Sequence, residues 1–193
     1  LGRTEEALSA LEQAIQLRKT LKPSAQPQDH TLALAELNQR WTQIKHDASL
    51  VQGRLPSDAE KILRERLDRV ETLLEQVASN PDQGNLEVRR LDALADLATR
   101  RGRIAYSAKE QRLGEAFAFW NEADKLYQRS SQTASDLNQR YNERNRGLLQ
   151  FTWASGLRNA NRLEEALTQS DAYIRLCRVL LPVSYTHLTL PTR

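Results

Sequence analysis

The sequence is poor in the residues on which disulfides, phosphate-binding loops and membrane spans depend. Its 193 residues include one cysteine (Cys177), no methionine, seven glycines and six prolines. A single cysteine excludes an intrachain disulfide. The glycines are scattered, so the chain has no glycine-rich phosphate loop. No apolar run approaches the ~20 residues that cross a membrane, and we expect the chain to be cytoplasmic.

Patterns typical of catalytic and metal sites are also scarce. His30 and His46 are the histidines before residue 182, and neither has a Cys, Asp or Glu at metal-ligand spacing. We interpret His46 as solvated surface and Cys177 as part of an apolar helix face. The sequence therefore predicts no metal, no cofactor and no enzymatic activity in this chain.

Helix-forming residues are abundant: Leu, Ala, Glu, Arg and Gln dominate the composition. Val, Ile and Thr form no alternating runs that would indicate strands. Apolar residues recur at helical spacing in seven segments. We predict an all-α fold of about seven helices in antiparallel hairpins, with a polar break at 130–134. The predicted helices lie near 5–21, 29–53, 57–78, 86–107, 111–129, 136–160 and 162–181.

One short motif occurs three times, at 2–8, 111–117 and 161–167. The first and last copies read GRTEEAL and NRLEEAL, and the middle copy reads QRLGEAF. In each copy a small residue lies near the start of a helix, where it permits a neighbouring helix to approach closely. We predict that the packing positions of the repeat are Ala7, Ala14, Ala116, Ala123, Ala166 and Leu176.

These copies resemble the second helix of a tetratricopeptide repeat, over 2–17, 111–126 and 161–176. The 50 residues from Ala116 to Ala166 exceed the usual ~34-residue period of that family, so the resemblance is to a long-helix variant. The resemblance implies an α-solenoid of stacked hairpins over residues 1–181. A non-repeating helical bundle whose helices begin alike is the alternative.

The resemblance also implies a function, because the first helices of tetratricopeptide hairpins line a concave groove that binds peptides. Aligned on Ala166, the groove-facing positions are Leu148, Phe151, Ser155 and Arg158; aligned on Ala116, Arg101 joins them. Phe151 beside Arg158 would provide an apolar anchor next to a cation. We expect a non-catalytic interaction or scaffold module that binds a peptide or a partner domain.

Three other functions remain open from the sequence. A structural bundle could self-associate through Trp41, Trp120 and Tyr127. The basic segment 100–103 could contact nucleic acid, although cations at a helix C-terminus explain it more simply. The resemblance also allows the regulatory repeat region of a larger bacterial signalling protein, such as a protein kinase.

Both ends of the sequence look artificial. Residues 183–192 resemble the conceptual translation of a transposase end sequence used to build sequencing libraries. We therefore expect a metagenomic fragment that is truncated at both ends, with 182–193 as a non-native tail.

Overall fold

A computed structural model describes residues 2–21, 27–78 and 84–180. These ranges form no β-strand, which confirms the predicted all-α fold. The predicted tail at 182–193 lies outside the described residues. The helices are α1 (Gly2–Thr20), α2 (Pro27–Ser49), α3 (Ser57–Glu75), α4 (Gly84–Ser107), α5 (Leu113–Thr133), α6 (Asp136–Asn159) and α7 (Leu163–Leu180).

Each helix packs against the next one along the chain. The α4–α5 pair is antiparallel, because the hydroxyl of Ser130 donates to the carbonyl of Val88 while the amide of Arg112 donates to the carbonyl of Ala105. Contacts between alternate helices add to these pairs, from α2 to α4 and from α4 to α6. Such packing between neighbours is compatible with a helical repeat.

The apolar side chains form two clusters that share α4. Leu32, Leu63 and Leu67 belong to the first cluster, between α2, α3 and α4. The second cluster surrounds the fully buried Trp120 and joins α4 to α5, α6 and α7. Ala93 faces the first cluster and Ala95 faces the second. Both sides of α4 are therefore buried, and this helix holds the two halves together.

Small residues on α4 and α6 set the distance of these two helices from α5. A Cβ atom at Gly102 would overlap the indole of Trp120, and one at Gly156 of α6 would lie 3.0 Å from the same ring. The Trp120 indole thus occupies the space that two glycines leave open. The interhelical contact depends on both of them.

The predicted break at 130–134 is wrong, because α5 continues to Thr133. Ser130 is buried in the helix, where its hydroxyl donates to the Val88 carbonyl and accepts a 2.8 Å hydrogen bond from Asn142. The serine connects α5 to both flanking helices.

His46 is also placed differently from the prediction. It is buried rather than solvated, and its Nε2 lies 2.8 Å from the hydroxyl of Ser107 on α4. Burial lowers the pKa of His46, and the nearby Arg103 acts in the same direction. This histidine joins the C-terminal ends of α2 and α4.

Candidate functional site

A groove of about 470 Å³ lies between α2, α4 and α6, and we call it the α2–α4–α6 groove. The helices α2, α4 and α6 form most of its walls, and α5 contributes Tyr127. Its α2 side includes Gln39, Arg40 and Gln43. Its α4 and α6 sides include Asp92, Asp96, Thr99, Arg100, Arg103, Tyr141, Asn145, Leu148, Leu149 and Thr152.

Interhelical polar contacts hold the walls of this groove at fixed positions. The side-chain amide of Gln39 donates a 2.6 Å hydrogen bond to the Ala93 carbonyl. Near one end, Arg89 donates to Glu36 at 3.1–3.2 Å and pairs closely with Asp29. Because these bonds join α2 to α4, the groove is formed before any ligand is present.

Two charged side chains in the groove are incompletely paired. Arg100 lies 3.5 Å from Asp96 and donates to Gln43 at 2.9 Å, yet its buried Nε has no hydrogen-bond partner. The Oδ1 atom of Asp92 is also buried without a partner. Unpaired buried polar atoms are costly, so a ligand that supplied a donor to Asp92 would gain affinity from this arrangement.

Asp92 has an unusual protonation equilibrium. Burial, together with the nearby carboxylates of Asp96 and Glu36, raises the pKa of Asp92 to about 6, while a hydrogen bond from Ser130 acts in the opposite direction. Asp96, in contrast, has partners within the fold, because Arg100 and the hydroxyl of Tyr127 both approach its carboxylate. The carboxylate of Asp92 is the acidic group in the groove that a cation could still neutralise.

Apolar side chains lie exposed at the α6 rim of the groove. Leu148 is 54% exposed and Tyr141 is 57% exposed, and both line the groove. They lie seven residues apart, or about two helical turns, and therefore face the same direction. The groove thus combines a polar floor with an apolar rim on one side.

The structure separates the residues that the sequence placed together. Leu148 lies in the α2–α4–α6 groove. Phe151, Ser155 and Arg158 instead line a second concavity of about 370 Å³, between α6 and α7. Arg101 lies at neither place, because it donates to Glu71 at 2.8 Å and to Asp68 at 3.0 Å on α3.

The second concavity, with its surrounding exposed side chains, is called the α6–α7 face. Its lining is mostly apolar, and Arg158 is its charged member. The lining residues are Phe151, Ala154, Ser155, Arg158, Leu163, Ala166, Leu167 and Ser170.

The predicted packing positions of the repeat differ in burial along the chain. Ala116, Ala123 and Ala166 are buried. Leu176 and the α1 pair, Ala7 and Ala14, are half-buried.

The basic segment at 100–103 is used within the fold. Arg103 donates to Asp47 at 3.0 Å, while Arg100 and Arg101 are paired as described above. The last turn of α4 holds no basic residue, so the explanation of this segment as cations at the helix C-terminus is wrong. These contacts leave little free positive charge for a nucleic-acid phosphate.

The aromatics proposed for self-association are mostly internal. Trp120 and Tyr127 are buried, and the guanidinium of Arg66 lies 4.0 Å from the ring centre of Trp41. Two of the three aromatics are therefore inaccessible to a second molecule in the folded chain.

Cys177, expected on an apolar helix face, is half-buried.

Within the described ranges, no cluster of three His, Cys, Asp or Glu residues is arranged to hold a metal ion. None of the helices described is both long and apolar enough to span a membrane.

Together these features define an all-helical protein whose neighbouring helices pack in a manner compatible with a helical repeat. The sequence matches no protein-family model, and no curated protein or solved structure matches it significantly.

Sequence reasoning did not find the contributions of α2 and α4 to the groove. Asp92, Asp96 and Arg100 recur every four residues on α4, which places them on one face of that helix. A polar face of this kind on a helix otherwise buried on two sides was the available signal.

Proposed function

We propose that this protein is a non-catalytic interaction module, a tetratricopeptide-like solenoid that binds an extended peptide segment of a partner protein. The α2–α4–α6 groove is the binding site. The observation that carries the proposal is that three alternate helices, each opening a hairpin, line one continuous concavity.

The position of the repeat motif supports this assignment. The copies at 111–117 and 161–167 begin α5 and α7, the second helices of their hairpins, and the copy at 2–8 lies in α1. Of the helices between these copies, α2, α4 and α6 line the groove, whereas α3 does not. In the tetratricopeptide arrangement the first helices of the hairpins line the groove. The motif positions and the groove lining therefore both identify α4 and α6 as first helices of their hairpins.

The groove chemistry suggests which peptide it accepts. An apolar side chain of the ligand would pack on Leu148 and Tyr141, whose exposed area favours burial by about 25 cal/mol per Å². A lysine or arginine side chain would pair with Asp92. The exposed Arg40 on the opposite wall would hydrogen-bond to the carbonyl groups of the peptide.

The test is a selection of random 12-residue peptides on the purified chain, followed by affinity measurements on individual peptides. Leu148→Glu should weaken binding of the selected peptides at least about tenfold, because it places a charge on the apolar rim. Leu17→Glu is the matched control: Leu17 is 65% exposed on α1, away from the groove. Its substitution should leave affinity unchanged.

The selected peptides should also be enriched in basic residues, and Asp92→Asn should weaken the basic ones. Selected peptides that bind Leu148→Glu and the wild-type chain equally would contradict the proposed site. A selection that yields no specific peptide would contradict the function itself.

A further inference from the structure

The α6–α7 face exposes apolar side chains on two adjoining helices. Phe151 and Leu163 are each more than half exposed, Leu167 is 66% exposed, and Ile174 lies on the same helix as Leu167. Large contiguous apolar patches on a protein surface mark sites of interaction with other molecules. Scattered single leucines would need no explanation, but Phe151, Leu163 and Leu167 line one concavity.

The internal repeat shows what a surface of this kind binds. Residues of α5 recur in α7 at an interval of 50, so that Phe117 corresponds to Leu167 and Trp120 corresponds to Ser170. In α5 both positions are buried: Phe117 is 8% exposed and Trp120 is fully covered. Both flanking helices cover Trp120: a Cβ at Gly102 of α4 would overlap its ring, and one at Gly156 of α6 would lie 3.0 Å from it. In α7 the place of α4 is taken by α6, and among the described residues no helix takes the place that α6 has on α5.

We propose that the α6–α7 face binds one amphipathic α-helix of a partner protein, which packs on α7 as α6 packs on α5. This surface is separate from the α2–α4–α6 groove, and the proposal does not depend on that groove binding a peptide.

A second copy of the chain is a poor source for this helix. In the described ranges, α2, α4 and α6 each already pack between the two helices that flank them in sequence. A second copy would have to unfold one of these pairs to release a helix of the α6 type. The first and last described helices, α1 and α7, carry the same motif as α5. They would therefore take the part of α5, the helix that is covered, and not the part of the helix that covers it.

The differences between α5 and α7 indicate the chemistry of the partner helix. Asp124 of α5 accepts hydrogen bonds from Arg146 and Gln150 of α6, at 2.6 Å and 2.7 Å. The corresponding residue of α7 is Ile174. The partner helix therefore carries an aliphatic side chain where α6 carries Arg146, because an unpaired arginine against Ile174 would lose its hydrogen bonds.

A second difference concerns size. Trp120 requires a glycine opposite it, at Gly156 of α6. Ser170 replaces this tryptophan in α7 and leaves room in the concavity. The partner helix consequently carries a large apolar side chain at the position of Gly156. Arg158 lies at the end of the face where the partner helix terminates, and its charge complements the C-terminal carbonyl groups of that helix.

The probe is a synthetic peptide with the α6 sequence, residues 136–159, carrying Arg146→Leu and Gly156→Phe. The control peptide has the unchanged sequence. Fluorescence anisotropy with the full chain should show the altered peptide binding at least about tenfold more tightly than the control peptide. Its helicity, followed by circular dichroism, should increase on binding.

Two variants of the protein locate the binding surface. Leu167→Glu should reduce the affinity for the altered peptide at least about tenfold, and Leu17→Glu should change it less than about twofold. Leu167→Glu should leave the groove peptides unaffected, which distinguishes failure of this proposal from failure of the proposed function.

Three results would overturn the proposal. The first is equal binding of the two peptides, which would mean that the differences between α5 and α7 do not select the ligand. The second is binding that Leu167→Glu does not weaken. The third is a dimer at micromolar concentration that Leu167→Glu dissociates, because a second copy would then be the occupant of the face.

Discussion

Substituting Gly102 by alanine tests how closely α4 and α5 pack. In an unhindered helix interior this change stabilises a protein by about 1 kcal/mol, because alanine has the higher helix propensity. At Gly102 the new Cβ would overlap Nε1 of Trp120 and lie 2.5 Å from Cδ1 of that ring and 3.1 Å from the Ala116 carbonyl oxygen. Overpacking of this kind costs about 1–3 kcal/mol. Since Trp120 is fully buried and cannot move aside freely, we expect a net loss of about 1–2 kcal/mol.

Gly147→Ala, in the interior of α6, provides the matched control. The nearest atoms to a Cβ at this position belong to Tyr173, at 3.7 Å, which is an ordinary contact. This variant should be stabilised by up to about 1 kcal/mol. For a protein of this size 1 kcal/mol shifts the thermal midpoint by roughly 2–4 °C, so the two variants should differ by at least about 2 °C.

Thermal and urea unfolding followed by far-ultraviolet circular dichroism measures both variants. Gly156→Ala, with the Trp120 ring 3.0 Å from the new Cβ, should fall between them. If Gly102→Ala were as stable as Gly147→Ala, the close contact between α4 and α5 would be wrong, and with it the geometry of the groove wall.

Two further predictions concern the repeat position and the groove carboxylate. Ala166→Asp should destabilise the chain by on the order of 3 kcal/mol, because Ala166 is buried and the new carboxylate would be unpaired. The same change at the exposed Ala10 should have an effect below about 0.5 kcal/mol in urea unfolding, and equal losses at the two sites would contradict the packing. Asp92 keeps its proton to about pH 6 in the folded chain but to about pH 4 when unfolded, so its contribution to stability falls as the pH rises from 4 to 6. Asp92→Asn should therefore gain stability relative to the wild-type chain over that interval, by at most about 3 kcal/mol at pH 7, and urea unfolding that shows no such pH dependence would contradict the burial of Asp92.

The helices were predictable because their apolar residues recur at 3.6-residue spacing along each segment. The motif copies also indicated Ala116, Ala123 and Ala166 as packing positions, and these three side chains are buried. These signals are local and do not depend on how the helices are arranged in space. Ser130 and His46 were misplaced for the opposite reason, because their partners, Val88 and Ser107, lie 42 and 61 residues away in sequence.

The candidate groove was predictable only at Leu148. Its other walls depend on the rotation of α2 and α4 about their axes, and these helices carry no clear repeat signature from which to align them. Arg101 illustrates the difficulty: ion pairs with Glu71 and Asp68 hold it against α3, whereas a shift of two residues along α4 would point a different side chain there. Phe151 and Arg158 line the same concavity, whereas Leu148 lines the α2–α4–α6 groove on another side of α6.

The most direct test of the account is amide chemical-shift mapping of the chain with a peptide selected on it. The proposed function predicts that the peptide perturbs Gln43, Asp92 and Leu148 together, on three different helices, and leaves Leu167 unchanged. Perturbations confined to the α6–α7 face, or to one end of a single helix, would contradict the assignment of the α2–α4–α6 groove as the peptide-binding site.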